Sequence, residues 1–270
     1  MSRARSNLLV MALAICSAAR LEAQALDLSR YRLIDLTHPF DARTIYWPTA
    51  PHGFELQRLS YGRTEKGYFY SAYAFAAPEH GGTHIDAPIH FSESGHTVDE
   101  VPLGQLVGAA YVIDVSGEAA RDRDYRLSVA DVQAFERRHG RIPAGAIVLL
   151  RTGWDRRWPD RKAYMGDDTP GDASHLHFPS FGAEAARLLV ERRRVGAIGV
   201  DVASIDYGQS TGFEVHQIVA ARNVVGLENL RGLDALPPTG AIVIALPMKI
   251  EKGSGAPLRA MALVPRSARK

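Results

Sequence analysis

Cysteine is nearly missing from this chain: Cys16 is the one example among 270 residues. A lone thiol cannot close an intrachain disulfide, and it cannot build the cysteine cluster of a structural zinc site. An excess of charge is missing as well, since 32 basic side chains face 30 acidic ones. That balance creates no field strong enough to recruit nucleic acid. Beyond the first 25 residues no apolar run is long enough for a membrane helix, and no repeat or low-complexity tract divides the sequence. What is there is ordinary, 46% hydrophobic and 23% charged, which suits one generous globular domain acting on a small molecule.

The first segment stands apart. Arg3 and Arg5 precede an apolar run from Leu8 to Ala18, and Ala23-Gln24-Ala25 follows with the small-x-small pattern of a cleavage site. The order predicts a secretory signal peptide over residues 1–25, a single domain over 26–270, and an exported, periplasmic protein that is free of the membrane once cleaved. Cys16 would leave with the signal, so any metal in the mature chain must be held by histidine and carboxylate.

From Leu26 onward helical and strand patterns interleave. Tyr31 to Leu36 reads as a first strand, and Gly67 to Ala76 as an aromatic-rich strand facing a cavity or a partner. Ser128 can cap a helix through Val129, Val132 and Phe135 to Gly140, which leads into a buried strand at Ala146 to Arg151. The pattern repeats with an amphipathic helix at Gly182 to Arg193 and an apolar strand at Gly196 to Val202. Strands at Ala241 to Pro247 and Leu258 to Val264 close the chain, with a mobile-looking Lys252-Gly-Ser-Gly loop between them. The predicted class is α/β with a mixed sheet, since a strand-rich first third does not suit a regular doubly wound sheet.

The chemistry concentrates in His80-Gly81-Gly82-Thr83-His84-Ile85-Asp86-Ala87-Pro88-Ile89-His90. The offsets between His80, His84, Asp86 and His90 are all even, so an extended chain would present the four side chains on one face. Gly81, Gly82 and Pro88 oppose a helix, and the segment is expected to be one gently bent strand. Two imidazoles and a carboxylate make a nitrogen and oxygen site suited to zinc, manganese or iron. An ion there lowers the pKa of water and supplies hydroxide as nucleophile without any activated serine or cysteine. His90 remains as a proton carrier.

The segment fits H-x-G-T-H-x-D-x-P-x-H at every fixed position, and in this it resembles the cyclase-like metal hydrolases, which include bacterial kynurenine formamidases and isatin hydrolases. The resemblance extends from Asp35-Leu-Thr-His-Pro39 through Trp47-Pro48 and Gly199 to Asp206, as far as Glu228-Asn-Leu230. It implies the swivelling β/β/α fold, with His80, His84 and Asp86 as metal ligands and His90 as general acid and base. It adds His216 and Glu228 as further ligands, so that one or two ions, Mn2+ or Zn2+, can bind. Because the family's pockets take planar aromatic compounds, Trp47, Phe69 and Tyr73 are the expected substrate contacts.

By the same resemblance the chain is a homodimer or higher oligomer that cleaves an amide C–N bond. Opening of a cyclic amide of the isatin type is favoured over hydrolysis of a formamide such as N-formylkynurenine. Asp201 and Asp206 flank a turn and suit either a functional or a capping role, and His38 is left outside the assignment. A rival reading pairs His84-x-Asp86 with a distant histidine as the triad of a non-haem Fe(II) oxygenase, which leaves His80 and His90 without a role. A second rival is an exported binding protein, in which His90 would be dispensable.

Overall fold

Ile147, Val148, Leu149 and Leu150 are all fully buried, as expected of a strand covered on both faces. Val148 and Leu150 enter one apolar cluster while Ile147 and Leu149 enter another, so strand alternation separates two cores. The computed structural model that shows this describes residues 27–266, and the expected signal peptide lies outside them.

Along the chain, β1 (Tyr31–Asp35) comes first, then β2 (Glu55–Arg63), β3 (Phe69–Ala76) and β4 (His84–Asp86). The central strands are β5 (Val107–Asp114), β6 (Arg126–Leu127), β7 (Ile147–Arg151) and β8 (Ser180–Phe181). The last four are β9 (Ala197–Val200), β10 (Val225–Glu228), β11 (Ala241–Pro247) and β12 (Gly255–Pro265). The main sheet runs β1-β12-β11-β5-β7-β9-β10-β4, and a further pairing of β4 with β12 closes it into a barrel-like ring. Strands β5, β7, β9 and β10 are parallel, and the other pairings of the ring are antiparallel. This is the mixed α/β single domain that the sequence predicts.

One core fills the ring with Ile85, Leu149, Val225, Leu227 and a row of small side chains that includes Ala245, Ala256, Ala260 and Ala262. The other lies under the helices. Helix Val129–His139 begins as predicted, with Ser128 and Asp131 forming a reciprocal capping box. The amphipathic segment after Gly182 is α-helical over Ala183–Arg187 and continues with a wider π-helical turn over Leu188–Arg193, keeping Ala186, Leu189 and Val190 buried. No helix among the described residues is long and apolar enough to cross a membrane.

Strands β2 and β3 form a separate two-stranded sheet, and most of their side chains are exposed. Phe69, Tyr70 and Tyr73 of the aromatic strand stand exposed among the described residues.

Candidate metal centre

The site lies at the carboxyl ends of β9 and β10, beside β4, which pairs with β10. The motif reaches it by a bent path. Gly81 and Gly82 both have positive φ, and a Cβ on Gly81 would stand 2.1 Å from the Tyr46 ring. Only His84–Asp86 is strand, and Pro88–His90 is a 3-10 turn whose first position accepts proline without loss. The expectation of one strand from His80 to His90 is thus corrected. Two turns, rather than pleat alternation alone, bring His80 and His90 to the space that His84 and Asp86 face.

Thr83 holds the bend in place. Its hydroxyl donates to the Asn229 carbonyl at 2.6 Å and accepts from the His38 amide at 2.9 Å. The threonine of the motif is structural.

Around Asp86 two sets of ligand atoms converge, His80, His84 and Asp86 on one side and Asp86, His216 and Glu228 on the other, with the atoms of each set within 4.8 Å of one another. Asp86 Oδ1 lies 2.6 Å from His80 Nδ1 and 3.2 Å from His84 Nε2. Asp86 Oδ2 and Glu228 Oε1 each lie 3.3 Å from His216 Nε2. His216, on helix Glu214–Ala220, is buried rather than turned to solvent, and Glu228 ends β10.

Each imidazole is fixed from behind. His84 donates from Nδ1 to the Gly82 carbonyl at 2.9 Å, and His216 from Nδ1 to Asp206 Oδ2 at 2.7 Å. The Ser254 hydroxyl gives its one proton to Glu79 Oε2 at 2.6 Å, so at 2.9 Å it accepts from His80 Nε2. The remaining nitrogens, His80 Nδ1, His84 Nε2 and His216 Nε2, all turn their lone pairs toward carboxylate oxygens. Such an arrangement is repulsive unless a proton or a cation lies between, and a divalent ion relieves every contact at once. Three nitrogens and two carboxylates thus fit zinc or manganese.

Without a cation, protons take its place. Burial pulls the His84 pKa down, but the Asp86 charge and hydrogen bond, with the Glu228 charge, outweigh it and leave His84 at about 9. Burial likewise opposes protonation of His216, and hydrogen bonds to Asp206, Asp86 and Glu228 raise it well above the usual value. Burial and the Asp86 charge push Glu228 upward. Asp86 itself is held well below the usual carboxylate range, burial being overcome by His84 and by three imidazole hydrogen bonds.

His90 touches no carboxylate. Its ring stacks on His80, and burial pushes its pKa down to about 4 against the opposing pull of Asp86. It is therefore a neutral base at rest, less basic than its intrinsic value suggested. Beside it a cavity of about 250 Å³ opens, walled by Trp47, Phe91 and Phe213. Trp47 and Phe91 both pack against Phe213, with ring centroids 6.1 and 5.5 Å away.

Trp47 is in the wall as expected. Phe69 and Tyr73 do not line it in the single chain, where they stand 56% and 43% exposed on the separate hairpin. Phe91 and Phe213, which do line the cavity, carried no periodic signal, although Phe91 directly follows the motif. Asp206 proves to have both of its possible roles, orienting His216 and capping its helix through the Val215 and His216 amides. Asp201 ties the loop after β9 to the end of β7, accepting from the Thr152 amide and hydroxyl and from the Gly153 amide.

Known proteins share this architecture. The Cyclase family model matches residues 34–207. The isatin hydrolase of Roseibium aggregatum is 39% identical over 70% of this chain and 73% of its own. The kynurenine formamidase of Salinibacter ruber is 30% identical over 85% of this chain and 96% of its own. A crystal structure of an isatin hydrolase bound to the product analogue thioisatinate superposes with a TM-score of 0.81 at 32% identity, covering 88% of this chain and 94% of that one. Nothing among these relatives supports the oxygenase reading, which also leaves the stacked His80 and His90 unexplained.

Proposed function

The chain belongs to the Cyclase family, and on that footing we propose that it is a metal-dependent hydrolase cleaving the C–N bond of a small aromatic amide. The observation that carries this reading is the convergence of His80, His84, Asp86, His216 and Glu228 beside a cavity with an aromatic wall. His80, His84 and Asp86 would hold one divalent ion, and Asp86, shared with His216 and Glu228, would allow a second. An ion so held polarises a carbonyl oxygen and lowers the pKa of water.

The chain's own groups supply the rest. Trp47, Phe91 and Phe213 grip a planar ring and exclude water from the reacting bond. His90, neutral because it is buried, accepts a proton on an imidazole nitrogen as water adds to the carbonyl, and then delivers it to the departing amine. A base of such low pKa becomes a strong acid once protonated, which favours release of a poor leaving group.

A cyclic amide is the preferred substrate class, supported by the 39% identity to an isatin hydrolase. The alternative is an arylformamide, supported by the length over which the formamidases align. The test is absorbance-monitored hydrolysis of cyclic amides, aryl formamides and lactones by protein reconstituted with manganese or zinc. Ring opening of the cyclic amide should be fastest. Turnover of the formamide alone would favour the alternative, and no turnover of any would sink the hydrolase reading.

Two further expectations belong to the same reading. The exposed apolar side chains of the β2–β3 hairpin, among them Leu56, Phe69, Tyr73 and Phe75, suit burial against a second copy of the chain. Export to the periplasm would show as a mature N-terminus near residue 26 on sequencing of the secreted protein.

A further inference from the structure

Ser254 lies 174 residues from His80 in the chain, yet it makes four hydrogen bonds to three residues in and beside the motif. Its hydroxyl accepts from His80 Nε2 at 2.9 Å and donates to Glu79 Oε2 at 2.6 Å. Its amide donates to the same Glu79 oxygen at 3.0 Å. Its carbonyl accepts from the Ala87 amide at 2.9 Å, at the far end of the ligand segment. One residue thus ties Glu79, His80 and Ala87 together across the bend that carries the ligands.

The glycines on either side have a steric purpose. A Cβ on Gly253 would stand 2.8 Å from Glu79 Oε1, and one on Gly255 would stand 2.5 Å from the Ile85 carbonyl and 2.6 Å from His80 Cε1. Real side chains do not approach so closely, so Gly253 lets this backbone lie against Glu79 and Gly255 lets it lie against the His80 ring. The placement follows from the register of β12 on β4, which sets Gly255 opposite Asp86 and Pro257 opposite His84. The loop that looked mobile is instead a seat.

We propose that Glu79 and Ser254 are positioning residues that clasp His80, fixing its proton on Nε2 so that Nδ1 is presented to the metal. The proposal rests on the metal-site reading above. Partners behind a ligating histidine set its tautomer and ring orientation, and their loss typically weakens metal binding by about 10- to 100-fold. The Glu79 carboxylate is what commits the Ser254 proton away from His80, so both members are needed.

The test is a titration of the full chain, stripped with a chelator, with Mn2+ and with Zn2+ against a competing indicator. Wild type, Ser254→Ala, Glu79→Ala, Glu79→Gln and His84→Ala are compared, with the melting temperature of each metal-free protein and the His80 tautomer from imidazole nitrogen NMR. Ser254→Ala should weaken binding by about 10- to 100-fold at an unchanged metal-free melting temperature, with His80 losing its single tautomer. Glu79→Gln, which still offers Ser254 an acceptor, should fall between wild type and Glu79→Ala. Unchanged affinity and tautomer in Ser254→Ala, with metal bound by wild type and lost in His84→Ala, would overturn the clasp and leave the metal site standing. Failure of wild type to bind either ion would overturn both.

Discussion

The imidazoles of His80 and His90 lie face to face, with centroids 3.8 Å apart and planes inclined by 17°. One ring has a nitrogen directed at Asp86 and is clasped from behind by Ser254, whereas the other is free of carboxylates. On the proposed reading a metal ligand and a proton carrier are thus stacked, and two histidines ten residues apart in one motif take different duties.

Replacing His90 should separate those duties. His90→Ala is expected to retain metal, because no proposed ligand is lost, while turnover falls by at least about 100-fold, the usual contribution of a positioned acid or base. Metal content by emission spectroscopy and initial rates on the same preparation check this. Unchanged rates would remove His90 from the mechanism and revive the binding-protein alternative.

Asp206→Asn acts on the other side of the centre. The Asp206 carboxylate accepts the His216 ring proton and the amides of Val215 and His216. Asparagine has a single accepting oxygen, so it can keep the bond to one helix amide but not to both, and it offers no charge to His216. Metal affinity should drop by about 10- to 100-fold, with a smaller loss of stability than in Asp206→Ala. Asp206→Ala, which also removes the cap, should lose about 1 kcal/mol more in chemical denaturation. A stoichiometry that falls from two ions to one would place the lost ion between Asp86, His216 and Glu228.

His38 makes a prediction about pH and stability. Burial, aided by the Arg231 charge, moves its pKa from 6.5 down to about 4. Its ring is stacked on Trp158 with centroids 4.3 Å apart, and its Nε2 has no hydrogen-bond partner. Between these pH values the unfolded chain binds a proton that the folded chain does not, so stability rises with pH. The contribution is fully present above pH 6.5 and is lost as the pH falls toward 4, by roughly 3 kcal/mol in total. His38→Phe keeps the stack and should flatten this part of the curve in urea titrations from pH 4 to 7.5. An unchanged slope would show that His38 is not its source.

The hairpin prediction concerns mass. Phe69→Ser combined with Tyr73→Ser should reduce the mass measured by light scattering toward that of one chain, because both side chains stand in solvent in the single chain. Trp47→Ala, by contrast, should leave the mass alone and raise KM for aromatic amides about tenfold or more, through loss of a cavity wall. If the hairpin variant stays at the wild-type mass, the partner surface lies elsewhere.

Much of this protein was legible because it depends on neighbours in the chain. The capping box at Ser128 and Asp131 sits three residues apart, and the apolar run of β7 is four residues of pure burial. The motif placed three ligands and His90 within eleven residues. Where local rules failed, the reason was geometric. Even spacing implied one strand through His90, but the positive φ of Gly81 and Gly82 and the turn at Pro88 bend the segment before and after a strand of only three residues. The aromatic strand was found, and its partner was not, since alternation tells which residues share a face and not what that face meets.

By itself, then, the sequence determined which chemical groups the motif offers: imidazole and carboxylate, with no cysteine among them, in a spacing too short to be scattered by any fold. The tertiary structure decided what stands behind them. Ser254 reaches His80 only because β12 pairs with β4 in one register, and Asp206 reaches His216 only because a loop after β9 turns back over a helix. The Ser254–His80 contact joins residues 174 apart in the chain, and strand order and register, which hydrophobic periodicity does not encode, bring them within hydrogen-bonding distance.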